Sequence, residues 1–168
     1  MAYGIFAAEN MTSTVDGSKL RSAKKAANIE NGMIVKLGAL VSGEKDLYTA
    51  EDIAANTDIV YLVDGVAVVY SQETTQGLDD YINVAGTAFR VRKAEVGDRF
   101  SVSESVVTAL ASAPVLGNFV ETPATGTKLL EKATSLSAGV SFGAKIIDKY
   151  VFGTRAIPMV RLEVTKVL

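Results

Sequence analysis

The chain contains no cysteine and no histidine. The first absence excludes disulfides, zinc–thiolate sites and thiol chemistry. The second removes the commonest general base and the commonest transition-metal ligand. No stretch approaches the roughly 20 apolar residues that span a bilayer as a helix, so no membrane partner is expected. Charge of one sign is also missing: 17 basic and 19 acidic residues leave a net charge of −2. Such a balance creates no global field to gather nucleic acid or anionic lipid. The opening residues, Met1-Ala2-Tyr3-Gly4-Ile5-Phe6-Ala7-Ala8-Glu9-Asn10, carry neither a basic leader nor a long apolar segment. A secretory signal is therefore not expected, and synthesis and assembly in a cytoplasm are.

What is there is enough for a core. A length of 168 residues favours one domain with a short appendage. A domain of that size buries roughly 70% of the surface of its unfolded chain. Apolar residues make up 48% of the chain, which argues against general disorder.

Residues 1–30 are small, polar and weakly periodic, and we read them as an N-terminal arm or loosely attached strands. A short helix over residues 18–28 is the competing reading, because alanine and lysine favour helix. From residue 31 onward strand signals repeat. Asn31-Gly32 is a turn pair before Met33-Ile34-Val35-Lys36-Leu37. Two β-rich runs, 59–63 and 66–70, flank Asp64-Gly65, which predicts a hairpin with a type I′ turn. That hairpin is apolar on both faces, with Ile59, Tyr61 and Val63 on one and Val60 and Leu62 on the other. It is covered on both sides by its own chain, or it forms a subunit interface with Val60, Leu62, Val66 and Val68 as candidates.

Three further segments alternate, each predicting one buried and one solvated face: Phe89-Arg90-Val91-Arg92, Phe100-Ser101-Val102-Ser103 and residues 160–165. Residues 140–152 form a longer apolar stretch, expected to bend or bulge around Gly143. Glycine followed by polar and then apolar strand residues recurs at Gly32, Gly97 and Gly117, as if for tight entry into strands. Helix is scarce; residues 78–83 and 104–110 could each form a turn or two.

Catalytic patterns are present but lack their partners. Gly139-Val140-Ser141-Phe142-Gly143 fits the G-x-S-x-G nucleophile elbow. That serine must pass its proton to a base, and the chain has no histidine. The residues after it read as strand rather than helix. Ser22-Ala23-Lys24-Lys25 and Ser42-Gly43-Glu44-Lys45 both fit S-x-x-K, yet the companion motifs S-D-N and K-T-G are absent. The carboxylate pairs Glu51-Asp52 and Asp79-Asp80 are adjacent in sequence, so they diverge in either a strand or a helix. No P-loop, dinucleotide fingerprint or EF-hand loop occurs. Asn10-Met11-Thr12 matches a glycosylation acceptor, which has no consequence without secretion. No cofactor and no catalytic residue are assigned.

Two basic groups stand out. Lys19, Arg21, Lys24 and Lys25 follow the Asp16-Gly17 turn signal. They could dock on an acidic protein surface or on phosphate; equally, they could form a solvated loop that keeps the chain soluble. Arg90, Arg92, Lys93 and Arg99 form the second group, beside Phe89 and Phe100. The aromatics fall in the opposite phase from the arginines, which makes them core residues and not a nucleic-acid stacking platform.

Several stretches resemble small structural proteins encoded among the head genes of tailed bacteriophages. They are Met1-Ala2-Tyr3-Gly4-Ile5, Val15-Asp16-Gly17-Ser18-Lys19, Asn28-Ile29-Glu30-Asn31-Gly32, Val35-Lys36-Leu37-Gly38-Ala39-Leu40 and Val96-Gly97-Asp98-Arg99-Phe100. The resemblance is to capsid decoration, or cement, proteins. It implies a β-rich module that binds the outer surface of an assembled shell, with the major capsid protein as partner. It also implies self-association around a three-fold or quasi-three-fold position, a location on the virion, and no catalytic residues. The arm at residues 1–30, with Lys19, Arg21, Lys24 and Lys25, would contact the shell.

The expectation is an all-β fold: a compact β-barrel or β-sandwich over residues 31–168, a partly extended arm over 1–30 and little helix. The leading function is decoration and stabilisation of a phage capsid. The alternatives are a tail or baseplate β-module, a glycan- or receptor-binding β-domain, and a hydrolase built on carboxylates.

Overall fold

The computed structural model describes residues 2–65 and 78–168. Twelve strands occur among them: β1 (Phe6–Asn10), β2 (Leu20–Lys24), β3 (Ile34–Leu40), β4 (Leu47–Glu51), β5 (Tyr61–Val63), β6 (Ala88–Arg92), β7 (Arg99–Ser103), β8 (Val107–Thr108), β9 (Phe119–Glu121), β10 (Leu129–Lys132), β11 (Phe142–Phe152) and β12 (Ile157–Val167). Helical structure in this region is limited to one turn of α-helix, Thr12–Val15, and three 3₁₀ turns at Gly17–Lys19, Leu78–Asp80 and Glu104–Val106. The fold is all-β, as the alternation predicts.

Two β-layers enclose two apolar clusters. Strands β2-β4-β3-β5-β6 close into a barrel, and β1-β7-β12-β11-β9-β10-β8 form a seven-stranded sheet. The barrel interior is filled by Ala23, Ile29, Val35, Ala50, Val63, Phe89 and Val91. The larger core packs Phe100, Val102, Phe142, Ile146, Val160 and Leu162 of the sheet against Ile34, Val60 and Leu62 of the barrel wall. Phe6, Phe100 and Phe142 stack through it, with ring centroids 5.5 and 6.5 Å apart.

This arrangement explains the strand that is apolar on both faces. Ile34 pairs with Leu62 and faces the sheet, while Val35 and Val63 face the barrel interior. Val60 is 7% exposed and Leu62 1%. Both lie in the chain's own core and offer no surface to a second subunit. The interface expected of Val60 and Leu62 is corrected accordingly; Val66 and Val68 lie outside the described residues. The second run of the expected hairpin, 66–70, lies outside the described residues; what the described part corrects is the turn. Both edges of β5 are occupied, by β3 and by β6. Neither Asp64 nor Gly65 has the positive φ that a type I′ turn needs.

Gly65 is required for a different reason. A Cβ there would lie 1.8 Å from Asn83 Oδ1. Asn83 cannot move away easily, because its Nδ2 donates to Ile29 O at 3.1 Å and to Asn31 Oδ1 at 2.9 Å. Asn31 in turn accepts from Gly65 N at 2.8 Å and donates to Gly65 O at 3.0 Å. Gly65→Ala is expected to cost about 1–3 kcal/mol, the usual range for overpacking a tight site, read as a lowered denaturant midpoint.

Residues 1–30 are not a loose arm. β1 pairs with β7, and β2 pairs with both β6 and β4 to close the barrel. Ile5, Met11, Ala23 and Ile29 are all buried. The helix considered over 18–28 is a strand at Leu20–Lys24, because ladder bonds on both edges and burial of Ala23 outweigh a weak local propensity. The division at residue 30 therefore does not separate structural units: strands from both sides of it build the barrel and the sheet.

Other details follow the sequence closely. Gly32, Gly97 and Gly117, at the turns before β3, β7 and β9, have φ of 83°, 94° and 89°. The ladder between β11 and β12 shifts register between Gly143 and Ala144, which is the expected bulge. β12 buries Val160, Leu162 and Val164, leaves Arg161 and Glu163 partly exposed and exposes Thr165. β7 departs from expectation, since its polar face is covered as well: Ser101 Oγ donates to Glu9 Oε1 at 2.5 Å, and Ser103 Oγ accepts from Ile5 N at 3.0 Å.

The β11–β12 turn holds one strained residue. Ala156 has φ 53°, the left-handed region that an L side chain enters at a cost of about 1–2 kcal/mol. Ala156→Gly removes that cost and adds back roughly 0.5–1 kcal/mol of unfolded-chain entropy. The variant is expected to melt slightly higher than the parent, by a few degrees at most, in calorimetry.

Candidate interaction groove

The outer wall of the barrel carries a groove. On β2 the alternation puts Ala23 inside and Ser22 and Lys24 outside; on β6 it puts Phe89 and Val91 inside and Ala88 and Arg90 outside. Pairing sets Ser22 beside Arg90 on one edge and beside Leu47 on the other. Around Ser22 three hollows meet. One of about 540 Å³ is lined by Leu20, Arg21, Ser22, Asp46, Tyr48 and Arg90. A second, of about 600 Å³, runs over Lys45 and Asp46 to Ala88. The third, of about 260 Å³, is bounded by Tyr81, Ala88 and Arg90.

Two arginines set the electrostatics. Arg90 donates to Asp64 Oδ2 through Nε at 3.1 Å and Nη2 at 2.7 Å. Arg92, 7% exposed, reaches the same oxygen and also Ser13 Oγ at 3.3 Å. Two guanidiniums over one carboxylate leave one positive charge in excess. Arg21 lies exposed, with Nη1 donating to the Leu20 and Ser18 carbonyls. Its Nε and Nη2 meet no acceptor among the described residues.

The structure disperses the first basic group. Lys19 is held by Glu95 at 2.5 Å, a hydrogen bond that raises the lysine above its ordinary pKa and occupies its charge. Lys25 is held by Asp52 at 2.6 Å. Arg21 lines the groove, and Lys24 shares the outward phase of Ser22 and pairs with Ala88. Of the four, Arg21 and Lys24 have no ion-pair partner among the described residues. The second basic group separates too, with Arg92 buried and Arg99 paired to Glu163 at 2.6 Å. Phe89 and Phe100 are buried, as their phase predicts. Asp46, Tyr48 and Tyr81 were not legible as groove residues, because only the parallel pairing of β2 with β4 brings the first two to Ser22.

The catalytic look-alikes have structural duties. Ser141 is buried, donates to Asp58 O and shares a hydrogen bond of 3.0 Å with Thr122; strand β11 follows it, where an elbow would need a helix. Asp79 and Asp80 do not diverge as expected: on the 3₁₀ turn at Leu78–Asp80 both accept from Arg155 Nη1, at 2.8 and 2.9 Å. Asp52 binds Lys25, and Glu51 lies 3.8 Å from Lys36. Among the described residues no three carboxylates gather at metal-binding range.

A second surface feature lies on the seven-stranded sheet. Leu110, Val115 and Leu116 are exposed on the loop between β8 and β9. That loop is pinned from beneath by Glu131, which is 0% exposed. Its carboxylate accepts from Leu110 N at 2.8 Å, Val115 N at 2.7 Å and Asn118 Nδ2 at 2.7 Å. Lys149 Nζ donates to Pro114 O at 2.6 Å, which sets β11 alongside the loop. Val151, in the same strand phase as Lys149, is exposed as well.

No protein-family model, curated protein or solved structure matches the chain.

Proposed function

We propose that this chain is a non-catalytic structural protein of a virion, one that decorates and stabilises a bacteriophage capsid by binding its outer surface. The reading rests first on the resemblance to phage head proteins. The structural observation that carries it is the apolar loop: Leu110, Val115 and Leu116 stand in solvent on a backbone fixed by the buried carboxylate of Glu131. Exposed apolar side chains on a rigid support are the signature of a contact surface. Burial of such surface against neighbouring capsid subunits contributes roughly 25 cal/mol per Å². Many copies, self-associated about a three-fold, convert modest contacts into strong attachment.

The test is sedimentation with undecorated capsid shells. The chain is expected to pellet with them saturably and to raise the temperature at which they break open. A chain that stays in the supernatant at all shell concentrations refutes the reading. One observation favours a second reading, a glycan- or receptor-binding β-domain: Tyr48 and Tyr81 border the groove, where sugar rings could stack. Binding to a glycan array with no effect on shells would select it.

A further inference from the structure

We infer that the barrel-wall groove receives an extended acidic segment of a partner protein, whose carboxylates are gripped by Arg21 and Arg90. The inference deepens the proposed function and rests on it only for the identity of the partner.

The whole chain is slightly acidic, at −2, so long-range attraction cannot bring an anion here. The groove is locally the reverse. Arg90, which lines two of the hollows, shares its carboxylate, Asp64, with the buried Arg92, so these three groups keep one net positive charge. Arg21 has no carboxylate partner among the described residues, and Lys24 and Lys45 stand at the rim. Against these stand Asp46 and Glu44. Cations remain in the majority.

Geometry adds the ligand class. The free edge of Arg21, Nε with Nη2, presents two parallel N–H donors, the arrangement that grips a carboxylate bidentately. Arg90 uses Nε and Nη2 on Asp64, which fixes the guanidinium and leaves Nη1 for a ligand. Ser22 and Tyr48 line the same hollow as the two arginines. Three hollows merging at Ser22 make a track longer than one small anion needs, and an extended chain advances about 3.3 Å per residue. Asp46 then selects direction, since it repels a carboxylate at its end of the track and accepts a backbone N–H or a lysine.

The experiment measures fluorescence anisotropy of a fluorescein-labelled ten-residue oligoglutamate, with oligoglutamine and a heparin octasaccharide as comparison probes. Oligoglutamate is expected to bind and oligoglutamine not to. Arg21→Glu should weaken binding about 10- to 100-fold, the range for losing a hydrogen-bonded charge contact. Ser22→Trp fills the junction of the hollows from an exposed position and should abolish binding without lowering the melting temperature. Lys166→Glu, in the seven-stranded sheet, makes the same charge change elsewhere and should leave affinity within about twofold. No anisotropy rise at millimolar protein, equal losses in Arg21→Glu and Lys166→Glu, or binding of heparin alone would each overturn the inference. On shells the two readings separate. If wild type pellets and Ser22→Trp pellets equally, the groove is not the shell contact and this inference fails. If wild type does not pellet, the decoration reading fails, and the oligoglutamate series still judges the groove.

Discussion

Glu131→Ala is expected to lower the melting temperature by about 8–16 °C. The side chain is fully buried and satisfies two backbone N–H groups and the Asn118 amide. Truncation leaves three inward-pointing donors with no acceptor, and each orphaned group costs about 1–3 kcal/mol. A combined loss near 4 kcal/mol corresponds to that shift for a domain of this size, at about 2–4 °C per kcal/mol. Glu131→Gln keeps one oxygen but loses the charge, and should fall between parent and alanine variant. Hydrogen exchange gives the local readout: the Leu110 and Val115 amides should exchange much faster in the alanine variant while β12 amides keep their order. An alanine variant that melts within 2 °C of the parent would rule out the clamp.

The same residue gives a pH dependence with a definite sign. Burial pushes the Glu131 carboxyl up, but the hydrogen bonds from Leu110, Val115 and Asn118 together outweigh it and hold the group below its ordinary value. A depressed carboxyl contributes stability that is complete above the unfolded pKa, about 4.3, and is lost as pH falls through the folded value. Asp58 acts in the same direction, held down first by the Ala54 amide against the opposing effect of burial, then by the Ala55 amide and Lys36. The gap in stability between parent and Glu131→Gln should therefore be constant near neutrality and narrow below about pH 4.

Asp64→Ala should be comparably damaging, by about 3–5 kcal/mol, because it strands the buried guanidinium of Arg92. Ser13 Oγ, at 3.3 Å, is then its remaining side-chain contact among the described residues. The paired replacement Asp64→Leu with Arg92→Met removes both charges and should recover most of the loss, since an apolar substitute for a buried ion pair is often neutral or better. If the double variant is no more stable than Asp64→Ala, the cost lies in packing or in the Arg90 contact and not in an unpaired Arg92.

The two sensitive residues share a history in the sequence: neither was legible there. Glu131 sits in Leu129-Leu130-Glu131-Lys132, where nothing local marks an acidic residue as buried. Its three donors come from 13 to 21 residues earlier, on a loop with no regular period. Asp64 reads as a turn residue, and its partner Arg92 lies 28 positions away on a strand whose alternation points the arginines toward water. Ser101 and Ser103 failed in the same manner, with polar phase but buried position. Periodicity reports which face of a strand is apolar. It does not report what folds over the other face.

What the sequence determined by itself was local and chemical. Alternation placed Val160, Leu162, Phe89 and Phe100 in the core, and glycine at positions 32, 97 and 117 marked turns that need positive φ. Those features depend on the pleat and on backbone sterics, which each segment carries alone. Tertiary structure alone decided that residues 20–24 close a barrel, that Val60 and Leu62 are covered by their own chain, and that Arg21 and Arg90 line one hollow while Lys19 and Lys25 are taken by Glu95 and Asp52. Those outcomes depend on strand pairing and on partners far away along the chain. Such long-range pairings are fixed by the free energy of the whole fold, to which no single window of sequence has access.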